Sequence, residues 1–468
     1  MRAHPGRQNC LVQNIDVVRH VIGFTPRWNY IFVAGVHRLW LAVWCETRPS
    51  ETSVNAAVQS TSRLSWAKHS CQPTISIEGD DLTVYDNHFP WGARVCATAA
   101  RWGHLNSLKW ARRNGCFWDS STCSEAAGGG HLDVLKWAWA NSCPWDEATC
   151  AMAAAFGHLE VLKWARDGVL VDSGLERFID MNSKWSDPDK SVRNLLCPWD
   201  ESTPYNAAKG GHMETLGWVL KRGCPSDRRI CELAAEEGRL DLMQLARSQN
   251  CPWGPEICAL AAKGGHLEVV KWSRINGCHW DASTSAAAAG AGHLQILMWV
   301  RDNACPWSVA TCICAASGGH LVTLKWARAN FCPWDSRVCV GAAKGGHLNV
   351  LQWARANGCP WDVATCSGAA AGGHLETLKW ARINECPWDE RVCCSAAQGG
   401  HLEVLKWARA NGCPWSKWTC SRAAIGGHLE VLKWARANGC PWDRGTCCSK
   451  VANDYPLVYA WAKANGCP

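Results

Sequence analysis

Eleven histidines of this chain stand on a single grid. His104, His131, His158, His212, His266, His293, His320, His347, His374, His401 and His428 are separated by 27 residues or by twice 27. The empty beats hold Trp185, Arg239 and Tyr455, and the register does not slip between residues 104 and 468. A unit this short cannot bury a core of its own and must bury it against its neighbours. Repetition therefore limits the chain to a stack of like elements. Fourteen units fit the grid, the one centred on Trp185 being degenerate, and a looser copy at residues 55 to 73 lies out of phase.

The unit around His158 shows what is stacked. Asp146 follows Cys-Pro-Trp and carries the short acceptor side chain of a helix N-cap. Asp119, Asp200, Asp281, Ser308, Asp335, Asp362, Asp389, Ser416 and Asp443 occupy the same slot. A first helix is expected to run to about Phe156, where Gly157 breaks it. A second runs from about His158 to Asp167 and ends at a glycine, as at Gly358, Gly412 and Gly439 elsewhere. Cysteine and proline follow, and a helix does not continue through that proline. Two helices and two tight turns use up the period and leave no room for strands.

At the helical angle of about 100° per residue, Thr149, Cys150, Ala153 and Ala154 form one small-residue stripe on the first helix. That stripe is the expected contact between stacked units. Leu159, Val161, Leu162, Trp164 and Ala165 cover more than half of the second helix, which is expected to be buried on several sides. Glu160 and Lys163 form a minor ion pair on the remaining strip. Tryptophan recurs twice per unit, at the Trp145 and Trp164 slots, and is read as a buried packing ladder rather than a cage for a ligand.

The segment from Thr149 to Lys163, TCAMAAAFGHLEVLK, is similar to the core of the ankyrin repeat family in its Ala-Ala to Gly-His spacing. The resemblance covers residues 90 to 468. It implies an all-α, ankyrin-like helical-pair solenoid of about fourteen 27-residue units. Family units are longer, about 33 residues; here Cys-Pro-Trp-Asp replaces the β-hairpin finger, so most units are expected to lack fingers. The family's implied function is protein–protein binding on the concave side lined by first helices. Residues 17 to 24 (VVRHVIGF) and 33 to 40 (VAGVHRLW) resemble an F-box, which implies docking of a ubiquitin-ligase adaptor. The other reading of residues 1 to 50 is a helical cap on the first repeat. Residues 51 to 89 are a degenerate repeat and insertion, with 72 to 89 expected as loop. Residues 90 to 468 are the array, including the degenerate unit 169–196.

Composition narrows the function. The 30 cysteines would suggest a disulfide framework in a short secreted chain. The N-terminal MRAHPGRQNCLVQNID has no apolar segment followed by a small-residue cleavage site. A reducing interior, cytoplasmic or nuclear, with free thiols is expected. The stretch from Trp28 to Trp44 is broken by His37 and Arg38, so no membrane span is expected. Cys143, Cys150 and His158 repeat as a set, but the cysteines are seven apart and belong to different surfaces, unlike a structural zinc site. A histidine at every second-helix start is expected to cap or bond a neighbouring turn, and no catalytic, cofactor or metal site is expected. The chain is read as a monomeric scaffold rather than an enzyme.

Three first-helix positions vary most, at ten, six and three residues before each histidine. Arg229, Leu233 and Glu236 are one such set, and Arg337, Gly341 and Lys344 another. Spaced four then three, they share a helix face, opposite the alanine stripe. Lys209, Arg229, Leu233, Glu236, Lys263, Arg337, Lys344, Arg391, Gln398 and Arg422 are the candidate partner-binding residues. A nucleic-acid-binding α-solenoid is the weaker alternative. Its readers need two or three base-contacting side chains per repeat, and Gly128, Ala155, Gly290 and Ala371 leave the face too bare. The net charge of +7 is small for 468 residues and does not make a nucleic-acid footprint.

Overall fold

The computed structural model describes residues 58–59, 61–62, 65, 74–78, 81–85, 92–168 and 196–468. Both readings of residues 1 to 50 and most of the looser copy at 55 to 73 lie outside the described residues. The chain is an all-α repeat solenoid of paired helices. Its described residues fall into two compact units, one running up to Ile230 with Ser248–Cys251 and the other comprising Cys231–Arg247 with Pro252–Pro468. Most helices are nine residues long, as in Glu390–Gln398 and Leu402–Ala410 of the His401 unit. Among the described residues no helix is long and apolar enough to cross a membrane.

One segment differs from expectation. Within 72 to 89 stand two antiparallel strands, β1 (Thr74–Glu78) and β2 (Asp81–Tyr85), with Thr74 opposite Tyr85 and Glu78 opposite Asp81. Ile75, Ile77, Leu82 and Val84 have the branched side chains that suit extended chain.

Side-chain caps start most first helices. Asp146 accepts the amide of Ala148 at 3.1 Å, Asp362 that of Ala364 at 2.8 Å and Ser308 that of Ala310 at 3.3 Å. Each such cap contributes about 1 kcal/mol. Ser416 departs from the pattern: its side chain makes no cap bond, and its buried hydroxyl finds no partner. The second helix ends on an asparagine whose amide bonds the tryptophan carbonyl four residues back, as Asn384 does to Trp380 at 2.8 Å. A left-handed residue then turns the chain. It is usually glycine, but Phe331 takes φ 65° there.

The first helices form the inner layer. Within each of the two compact units neighbouring first helices pack on one another, as Ala282–Gly290 on Val309–Ser317, and on their own partners, and the small-residue stripe is buried, as at Cys393, Ala396 and Ala397. The second helix buries less than its composition suggests: Val404, Leu405 and Ala408 in a representative unit. Most tryptophans are half-buried rather than buried. They line the outer edge of the pairs, where each Cys-Pro-Trp ring meets the second-helix tryptophan of the next unit edge-on, 5.9 Å apart for Trp334 and Trp353. An arginine from the preceding second helix lies over the first ring, Arg328 at 4.2 Å from Trp334, and also donates to the Cys332 carbonyl. The protein's own cation thus occupies the aromatic face.

Histidine is the tie between units. His374 lies with Nε2 3.1 Å from the carbonyl of Lys344, the last residue of the preceding first helix. His131, His158, His347 and His401 reach the equivalent carbonyls of Arg101, Gly128, Ser317 and Ala371 at 3.0 Å. A carbonyl only accepts, so Nε2 carries the proton. The ring also lies against the preceding unit's turn: a Cβ at Gly346, whose φ is +73°, would stand 2.5 Å from the His374 Nδ1. Glycine there serves both the left-handed turn and the close approach.

The grid of the sequence and the stack in space part at one point. His212 reaches back 57 residues, to the Ala155 carbonyl at 3.1 Å, and its ring lies against Gly157. The first helices Glu147–Ala155 and Ser202–Lys209 pack directly on each other. Cys197 takes the place that follows the second helix of the His158 unit: its amide bonds the Ala165 carbonyl at 3.2 Å and its thiol the Asp146 carbonyl at 3.6 Å. Arg166 lies 3.9 Å over Trp199. Every tie of the spine therefore closes across one whole period, with no slot left between the His158 and His212 units. The second helix widens into a π-turn at Trp164–Gly168, where the chain departs. The described array thus has thirteen helix pairs where the sequence has fourteen beats, and residues 169 to 195 lie outside the described residues.

Replacing His374 by alanine removes the tie to Lys344 and the ring's packing on Gly346. The expected loss is about 1 to 2 kcal/mol in urea denaturation. Lys379→Ala, on the exposed outer strip, is expected to stay within about 0.5 kcal/mol.

Candidate functional site

Within each of the two compact units the variable first-helix positions lie on the first helices away from the buried alanine stripe. Arg229, Glu236, Lys209, Lys263, Arg337, Lys344, Arg391, Gln398 and Arg422 are exposed, and Leu233 is half-buried. The three positions differ in kind. Those ten and three residues before the histidine point to solvent. The middle one lies toward the neighbouring first helix, where Gly341 and Gly368 are buried and Leu233 is half-buried, although Arg422 at the same slot is exposed. A Cβ at Gly341 would lie 2.4 Å from the Ser317 hydroxyl of the preceding unit. Sequence spacing alone put all three on one free face; close helix approach buries the middle one at Gly341 and Gly368.

The position three before the histidine carries a further constraint. Its carbonyl is the acceptor for the next unit's histidine, at Lys344, Ala371 and Gln398 in successive units. The backbone there is fixed while the side chain varies freely. Neighbouring units bring some of these side chains together: Arg422 donates to the Gln398 amide oxygen at 3.3 Å.

Electrostatics on the edge is largely local. Arg229 pairs with Asp227 at 2.6 Å, Arg337 with Asp335 at 2.7 Å, Arg391 with Asp389 at 2.9 Å and Lys417 with Asp443 at 3.1 Å. The arginine hydrogen bonds hold the Asp335 carboxyl below its ordinary range, and the Lys417 bond does the same for Asp443. These carboxylates both cap the helix and neutralise the cation two residues on or in the neighbouring unit.

Exposed aromatic side chains also occur on the first helices and at their ends: Trp418 at the position ten before its histidine, and Trp102 and Phe156, which spacing alone did not single out. Trp102 is 46% exposed, Phe156 50% and Trp418 52%. Trp102 and Phe156 replace the first glycine of the usual Gly-Gly pair, and that substitution was the available signal. Aromatic rings on a rigid edge are the side chains that dominate many protein interfaces.

The residues considered for metal chemistry do not converge. The Cys143 thiol donates to the Asp119 carbonyl at 3.5 Å, that of Cys150 points at the Cys197 carbonyl, and His158 bonds Gly128. Among the described residues no three histidine, cysteine or carboxylate side chains gather. Among the described residues the cysteines form no disulfide, and most are buried.

No protein-family model and no curated protein sequence matches the chain. Two solved structures illustrate the likeness at the level of folds. The pentatricopeptide repeat protein PPR10, in complex with an 18-nt psaJ RNA element, aligns over 100% of this chain and 78% of its own, at 12% identity and a TM-score of 0.37. The human ASB11 ankyrin repeat domain aligns over 39% of this chain and 98% of its own, at 16% identity and a TM-score of 0.31. At these values neither bears on the site.

The groove and edge positions are separable by mutation. Gly341→Leu must displace Ser317 and is expected to cost about 1 to 3 kcal/mol. Lys344→Leu is expected to change stability by no more than about 0.5 kcal/mol. Equal effects in urea denaturation would mean that the two positions share one environment.

Proposed function

We propose that this solenoid is a protein-binding scaffold of ankyrin type, holding its partner along the exposed first-helix edge. The observation that carries this reading is the split at the position three before each histidine. There the next unit's histidine holds the main chain, while the side chain is lysine, glutamate, serine, glutamine or alanine. A frame that fixes position without fixing identity suits recognition by side chains. Trp102, Phe156 and Trp418 supply apolar anchors, and the neighbouring charges supply specificity.

Nucleic acid fits this edge less well, although the pentatricopeptide protein above is bound to RNA. Phosphate binding draws on uncompensated cations, and Arg229, Arg337, Arg391 and Lys417 each face a carboxylate of their own stack.

Affinity capture with the full-length protein tests the proposal. The triple variant Lys209→Glu, Lys263→Glu, Lys344→Glu, with an unchanged melting curve, is expected to lose most of the protein captured by the parent. Capture that survives the triple variant, or that disappears on nuclease treatment, would contradict the proposal. Binding of single-stranded RNA that weakens steeply with salt would favour the nucleic-acid reading instead.

A further inference from the structure

Most units hold two cysteines that the fold turns toward each other, one in the first helix and one just after the second. They stand twenty positions apart, as Cys312 and Cys332, Cys366 and Cys386, and Cys420 and Cys440 do. The first-helix sulfurs lie 4.0, 3.8 and 3.9 Å from the carbonyl oxygens of those second cysteines. The His293 unit shows that the side chains of the two slots meet. It has Ser285 in the first slot, and that hydroxyl donates to the Cys305 sulfur at 3.5 Å. Packing does not require a thiol in both places, since Ser285 fills one slot and Pro204 its equivalent in another unit, both buried.

The two thiols of a pair are unlike. Contact with the partner thiol and burial hold the proton on Cys312, whereas the same contact favours the ionised form of Cys332. The Arg328 guanidinium, bonded to the Cys332 carbonyl, acts in the same direction. The pairs of Cys339 with Cys359, Cys366 with Cys386 and Cys393 with Cys413 repeat this asymmetry.

We infer that these facing thiols are latent disulfides, one modification site in each unit that holds both cysteines, which a peroxide closes between the first helix and the loop after the second. The loop thiolate attacks one peroxide oxygen, giving a sulfenic acid and hydroxide. The first-helix thiol then attacks that sulfur, forming the S–S bond and releasing water. Two electrons pass from the sulfurs to the peroxide, which ends as water and hydroxide. The bond stays inside one unit and links no unit to the next. It closes each hairpin separately and leaves the exposed first-helix edge unchanged. The pairing differs from the seven-residue spacing that is most visible in the sequence, because that spacing joins cysteines of successive units.

Peptide mapping by mass spectrometry tests this on the native full-length protein, treated with hydrogen peroxide, alkylated and digested. Links joining residues twenty apart are expected between Cys258 and Cys278 and onward to Cys440, reversed by dithiothreitol. The Ser285→Cys variant, which completes the facing pair with Cys305, is expected to add one further link. The inference is overturned if the native thiols stay free while denatured protein oxidises. Links at spacings of seven or 27, or no added link in a folded Ser285→Cys variant, would overturn it as well.

Discussion

Every α-helix ends with carbonyl groups that have no partner within it, and a stack of short helices has many such ends. Here the next unit's histidine satisfies one of them, reaching from the start of its second helix to the last turn of the preceding first helix. The contact needs a glycine beneath the ring, a fixed offset along the chain and a neighbour in one orientation. It therefore sets the distance and rotation between successive units. Alanine, cysteine and threonine fill the space between first helices at that distance. At Gly341 the approach is close enough that a Cβ would already meet the Ser317 hydroxyl. The period of 27 residues follows from this tie as much as from helix length.

What the tie leaves free is the outward side of the first helix. Its main chain is held at regular intervals, and its side chains make few contacts with the frame. The carboxylate that caps the helix also balances the arginine two residues further on, so the edge gains variety of shape without a large single-sign field. On the opposite side, arginine lies over tryptophan and bonds the loop carbonyl, stiffening the turn between units. The two sides divide the work: one holds the loops, the other is available to a partner.

Much of this was legible in the residues. Histidine spacing, aspartate caps, alanine pairs and turn glycines each have a local physical cause that survives without coordinates. Layering was less legible. Tryptophan recurring once per turn reads as core, but a ring of that size does not fit between helices spaced for alanine, so it lies at the outer edge. The hairpin at Thr74–Tyr85 had its signal in the alternating TISIE and DLTVY around Gly79-Asp80, which the dominant helical period obscured. The skipped beat was hidden by its own length, since the 27 residues between Gly168 and Leu196 amount to one period and keep the register intact. Its trace was the absence of Cys-Pro-Trp and Ala-Ala between Gly168 and Leu196. Cysteine partners could not be read from linear spacing, because the hairpin brings together residues twenty apart, not seven.

The skipped period offers the most direct measurement of whether neighbour-to-neighbour ties hold the stack. Deleting residues 169 to 195 joins Gly168 to Leu196, so that Cys197 follows at the offset its counterparts have in other units. Circular dichroism with thermal melting of the deleted protein is the measurement. If the ties between the His158 and His212 units already close across the segment, the helical signal per molecule and the melting midpoint should stay close to those of the parent. A lost cooperative transition, or a large fall in midpoint and helical signal, would contradict the account.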